Sequence, residues 1–108
     1  MRPPRPFPHV PAGDVERARV VTVRWLPAGV AGMTLGRFIL LRRDHAADHD
    51  LVAHELVHVR QWRELGVPRF LWRYLSAYAR GRLAGGLGHQ EAYRKIPLEV
   101  EARRLAGR

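Results

Sequence analysis

The chain has 108 residues and a formal net charge of +9, room for one modest core with a cleft but not for two independent domains. It contains no cysteine, which excludes disulfide frameworks, thiolate metal sites and thiol nucleophiles. Any transition metal must then be held by His, Asp or Glu.

Residues 1–12 hold five prolines, the composition of an extended, mobile polyproline-type arm, free either to dock on the body or to bind a partner, ahead of a single domain over 13–108. RVVTVRWL (19–26) alternates apolar and polar residues around β-branched ones and predicts a half-buried strand. PAGVAG (27–32) reads as a turn. MTLGRFILL (33–41) predicts a second strand, bent at Gly36, and the two strands together suggest an antiparallel hairpin. RRDHAADHD (42–50) is a polar connection in which Asp48 and Asp50 are candidate N-caps. A helix is expected from about 50 to Leu65, with Gly66 as its C-terminal cap and Pro68 opening the next helix. Its apolar residues wrap most of the circumference, as in a buried helix. Phe70, Leu71, Tyr74, Leu75 and Tyr78 form an amphipathic stripe on the second helix. HQEAYRK (89–95) predicts a short helix, and Pro97 opens a last one with Glu99 in its first turn. The fold class expected is α+β: a small antiparallel sheet packed on a central helix, with two or three further helices.

The central helix carries HELVH at residues 54–58. Positions i and i+4 share a helix face, so His54 and His58 can point both imidazoles at one ion. Glu55 lies about 100° round the helix and can reach toward that ion without ligating it. Two His ligands plus a Glu that takes a proton from metal-held water is the arrangement of a metallopeptidase. The competing explanation is a pair of core histidines satisfied by hydrogen bonds, but an otherwise apolar helix must find partners for all three polar groups. A catalytic zinc site needs a third protein ligand, and C-terminal to HELVH the candidates are Glu64, His89, Glu91, Glu99 and Glu101. Glu64 sits on the same helix and cannot fold back. Glu99 and Glu101 lie on a separate helix that can cross the first. A second pair, His45 and His49, is also four apart, but Asp44, Asp48 and Asp50 around it favour a capped polar turn.

HELVH followed by IPLEVEA resembles the gluzincin zinc metallopeptidases, and the short chain with its AYRKIPLEVEA context is most similar to their small single-domain, minigluzincin type. The resemblance spans residues from about 33 to 105. It implies one catalytic zinc ion held by His54, His58 and a downstream Glu. In that family a small residue tends to follow three positions after the ligand, which matches Ala102 after Glu99 and puts Glu101 second. The resemblance further implies Glu55 as the general base and a Tyr or His as oxyanion donor. Tyr93 is favoured over His89 for that role. Gln61 is a candidate buttress. The expected substrate is a peptide or protein, added as an extra strand along a sheet edge for which MTLGRFILL is the candidate.

Two other classes compete. One is a metal-binding zincin-like module without proteolytic activity, with a regulatory or scaffold role. The other is a basic domain binding nucleic acid or an anionic membrane surface, since 18 of the 19 basic residues are arginine. The arginines are scattered, which argues against a dedicated nucleic-acid patch, while peripheral membrane contact stays compatible with a peptidase. The N-terminus lacks the apolar region of a secretory signal, and no stretch reaches the roughly 20 apolar residues of a membrane span. A cytoplasmic protein is the resulting expectation.

Overall fold

A computed structural model describes residues 3, 7–27 and 29–107. The elements run α1 (Ala12–Arg17), β1 (Arg19–Val23), β2 (Gly32–Leu35), β3 (Phe38–Arg42), a 3-10 turn (Arg43–His45), α2 (His49–Leu83), α3 (His89–Arg94) and α4 (Pro97–Ala106). The class is α+β: a small mixed three-stranded sheet plus helices. Among the described residues no helix is long and apolar enough to cross a membrane.

The pairing of the strands differs from the expected hairpin. MTLGRFILL is not one strand but two, folded on each other. β2 and β3 pair antiparallel with Leu35 opposite Phe38, leaving Gly36 and Arg37 as a two-residue turn. Gly36 has φ +64°, the conformation that the first position of a tight hairpin turn favours. β1 then pairs with β3 in parallel, Val20 beside Ile39 and Thr22 beside Leu41, giving the order β1-β3-β2. The loop 24–31 therefore steps over one strand position, about 10 Å, which β3 fills. Ile39 and Leu41 alternate toward the core and are fully buried.

The core forms between this face of the sheet and α2. Leu51, Val52, Leu56, Val57 and Val59 join Ile39, Leu41 and Ala102 in one apolar cluster. Asp48 caps α2 by accepting from the Leu51 backbone N–H at 3.1 Å.

α2 is helical on both sides of a break at Gly66, whose backbone is φ 77°, ψ 163°. Only glycine occupies that region readily. Trp62 and Phe70 would stand about 12 Å apart along an unbroken helix, yet their rings stack with centroids 4.0 Å apart. The chain has turned sharply between them. Pro68 fits just after the break, where a first turn has no use for its missing N–H. Gly66→Ala is expected to cost about 1–3 kcal/mol, measurable as a lower denaturation midpoint with unchanged slope.

The N-terminal segment does not stand free over residues 7–12. Phe7 and Val10 are buried in the core cluster. The Phe7 ring stacks on His49 at 4.7 Å, and His9 Nε2 donates to the Ala53 carbonyl at 2.7 Å. α1 follows directly. Its buried Asp14 accepts a two-pronged pair from Arg63 on α2, at 2.6 and 2.9 Å. Apolar burial of Phe7 and Val10 docks the segment while Pro11 keeps extended backbone, φ −57° and ψ 141°. The remaining arm positions, 1, 2 and 4–6, lie outside the described residues.

Candidate metal centre

His54, Glu55 and His58 lie on the N-terminal limb of α2, all at most 8% exposed. Pro97 at the first position of α4 sets Glu99 in that helix's first turn, and Ala102, fully buried, lets α4 approach α2 closely. Glu99 thus reaches both histidines. Its Oε1 is 2.9 Å from His54 Nε2, with the geometry of a hydrogen bond. Its Oε2 is 3.0 Å from His58 Nε2.

The second contact is not aligned as a hydrogen bond, so His58 Nε2 is buried with no hydrogen-bond partner among the described residues. A buried nitrogen of this kind is costly. It suits a shared ion, because the ligand atoms of His54, His58 and Glu99 all lie within 4.8 Å of one another. The observed separations approach the roughly 3.3 Å between neighbouring ligands of a tetrahedral ion with bonds of 2.0–2.1 Å. These three side chains form a buried group that could hold a metal ion. Among the described residues no second such group occurs. His45 belongs to the 3-10 turn and lies near Asp44 and Asp48.

Glu101 does not enter the group. It accepts from Arg60 at 2.8 Å and from Gln61 Nε2 at 2.9 Å, on the other side of α4's first turn. Gln61 links the two carboxylate neighbourhoods. Its Oε1 accepts from His58 Nδ1 at 2.7 Å, and its Nε2 also donates to the Leu98 carbonyl at 3.0 Å. In the neutral ring that metal ligation requires, with the proton on Nδ1, the Nε2 lone pair would face Glu99 and the shared point. Gln61→Leu is expected to weaken metal binding about 10- to 100-fold, read by competition with a chromophoric chelator.

Tyr74 is a member of the site that sequence reasoning missed. It lies on the C-terminal limb of α2, and its hydroxyl donates to Glu99 Oε2 at 2.6 Å. The fold-back at Gly66 brings it there. Its only sequence signal was the aromatic spacing Phe70, Tyr74, Tyr78, which equally describes packing.

Burial disfavours charge on His58, but the nearby carboxylates of Glu99 and Glu55, with the Gln61 hydrogen bond, outweigh it and raise its pKa to about 9. Burial also works against an ionised Glu99, yet the hydrogen bond from His54 and the close contact with His58 hold its carboxyl well below the usual range. Glu55 goes the other way. Desolvation dominates and pushes its pKa up, against the charges of His58 and His54. Thr34 on β2 steadies it, donating from Oγ1 to Glu55 Oε1 at 3.0 Å.

A cleft of about 380 Å³ opens over His54, Glu55 and Glu99, walled by 29–32 and by α3 and α4. A second groove, about 210 Å³ and mostly apolar, runs along β2 and the C-terminal limb of α2. The two meet at Glu55, Glu99 and Tyr93. Burial and the nearby Glu99 and Glu55 charges push the Tyr93 phenol above its usual range, so it stays a donor. His89 also lines the cleft, but its Nδ1 is hydrogen-bonded to the Tyr78 hydroxyl at 2.8 Å. β2 is an outer strand of the sheet. Its Thr34 carbonyl already accepts from Trp62 Nε1 at 3.1 Å, which leaves less of that edge for an added strand.

Residues 18–66 match the family model of the eCIS core domain. The matched segment takes in the whole sheet, HELVH and Gln61, and it ends at the break in α2. Glu99, Tyr74 and Tyr93 lie beyond this eCIS core domain match. No curated protein and no solved structure matches the chain.

Proposed function

We propose that this protein is a zinc-dependent peptidase of the gluzincin kind, with His54, His58 and Glu99 as zinc ligands and Glu55 as general base. The observation that carries the proposal is Glu55 itself. A carboxylate with a raised pKa is buried beside a His-His-Glu group and opens onto a cleft. The N₂O donor set and its three protein ligands suit zinc with an open position. A zinc ion bound there would bring the pKa of water down to about 7 and polarise a peptide carbonyl.

The chain's own residues then divide the work. Gln61 and Tyr74 orient His58 and Glu99. Thr34 fixes the Glu55 carboxylate from below. Glu55 accepts a proton from the attacking water as its oxygen bonds to the carbonyl carbon. It then gives that proton to the leaving amine nitrogen as the C–N bond breaks. Tyr93, protonated and at the junction of the two grooves, donates to the developing oxyanion. The raised pKa of Glu55 suits this cycle, because a more basic carboxylate takes up the water proton more readily.

The test is digestion of a mixed peptide library by the zinc-loaded protein, read by mass spectrometry. New termini that vanish with a chelator support the proposal. Bound zinc with no cleavage of any peptide removes the peptidase activity and leaves a metal-bound module.

A further inference from the structure

The two grooves that meet at Glu55 differ sharply in charge. The one along β2 and α2 is bounded by Met33, Leu35, Leu71 and Leu75, and Leu35 and Leu75 are at least half exposed there. Its lining residues include no arginine or lysine. The cleft on the other side carries Arg94 and Arg103.

Several arginines outside this cleft have carboxylate partners. Arg60 is paired with Glu64 and Glu101, Arg63 with Asp14, and Arg42 with Asp44. The acidic neighbour of Arg94 on α3, Glu91, is instead near Lys95. Among the described residues no ion pair neutralises either Arg94 or Arg103. Arg103 donates one nitrogen to the Arg94 backbone carbonyl. This ties α4 to α3 and holds the guanidinium at the cleft, with its other N–H donors in hand. Two guanidinium groups without a carboxylate partner thus line the same cleft as His54, Glu55 and Glu99.

We propose that Arg94 and Arg103 form an anion-recognising subsite that selects peptides carrying a carboxylate on the α3–α4 side of the reacting bond. This rests on the peptidase reading for its choice of ligand. The carboxylate is either an acidic side chain or a free C-terminus, since both present the same planar pair of oxygens to a guanidinium. The apolar groove opposite takes an uncharged side chain of the same peptide.

The experiment measures binding, so that its outcome separates from catalysis. The zinc-loaded full chain carrying Glu55→Gln is titrated with fluorescent peptides of one length. One set compares Asp with Asn at each position; another compares a free with an amidated C-terminus. The carboxylate is expected to tighten binding about tenfold at low salt, the worth of one charge-assisted hydrogen bond. That gain should shrink at high salt, disappear in Arg94→Ala/Arg103→Ala, and survive in Arg94→Lys. Arg94 is exposed, so its replacement spares the fold, and Arg103→Gln serves if the double variant does not fold. The set that shows the gain identifies the source of the carboxylate. Equal binding of charged and neutral peptides overturns the proposal, as does a gain that the arginine variants leave intact. Carboxylate-selective binding without cleavage by the wild type removes the peptidase reading and leaves the subsite standing. No binding by any peptide overturns both.

Discussion

Glu55→Gln is expected to lower the rate of peptide hydrolysis by about 10²- to 10⁴-fold, the usual worth of a positioned general base, while the metal stays bound. Gln has the shape of Glu and can still accept from Thr34 Oγ1, which lies 3.0 Å from the carboxylate oxygen. It cannot take a proton from water. Glu55 is not one of the three side chains grouped for a metal, so metal content should match wild type. It is 3% exposed, and loss of a buried charge that desolvation already disfavours should not harm the fold. The comparison is kcat/KM beside metal content for the two proteins. Activity equal to wild type would remove Glu55 from the mechanism.

The second large effect is on stability. At zinc concentrations about 100-fold above its Kd, binding contributes about 2.7 kcal/mol. For a domain of this size that raises the melting temperature by about 10 °C. The ligands come from two different helices, α2 and α4, separated by 41 positions in the chain between His58 and Glu99. An ion bridging them binds the folded chain alone, because the unfolded chain does not hold these residues together. Scanning calorimetry with zinc and with a chelator measures the difference. The same shift should be absent in Glu99→Ala. Equal melting temperatures with and without zinc would show that no ion bridges the helices.

What the sequence made legible was local. The four-residue spacing of His54 and His58 depends only on helix geometry. Asp48 at the cap and Gly66 at the end of the first limb are local signals, and Pro97 with Glu99 in the next turn is another. Those signals placed two ligand residues on one helix and the carboxylate on another. What they could not carry was anything that depends on how segments pack. Tyr74 reaches Glu99 only because the chain folds back at Gly66. Gln61 was legible as a neighbour of His58, but its bonds to Glu101 and to the Leu98 carbonyl need α4 in place.

The strand pairing is hidden from the sequence for a related reason. Gly36 in LGRF is a good first residue of a two-residue turn, and reading it so would have split 33–41. The parallel pairing of β1 with β3 has no local signature at all. Phe7 and Val10 were two apolar residues among prolines, and α1 follows Pro11 with Asp14 in its first turn. Composition outweighed those signals in the reading of the arm. Charge balance hid the cleft in the same way. A net charge of +9 says nothing of where arginines lack partners, and only the packing of α3 against α4 puts Arg94 and Arg103 beside the site.

Whether His54, His58 and Glu99 hold one metal ion is read from bound metal, per protein, in wild type, Glu99→Ala and Glu101→Ala after identical loading and dialysis. One equivalent is expected in wild type and in Glu101→Ala, with the metal lost from Glu99→Ala. Metal retained by Glu99→Ala, or lost only from Glu101→Ala, would rule out this triad as the metal site.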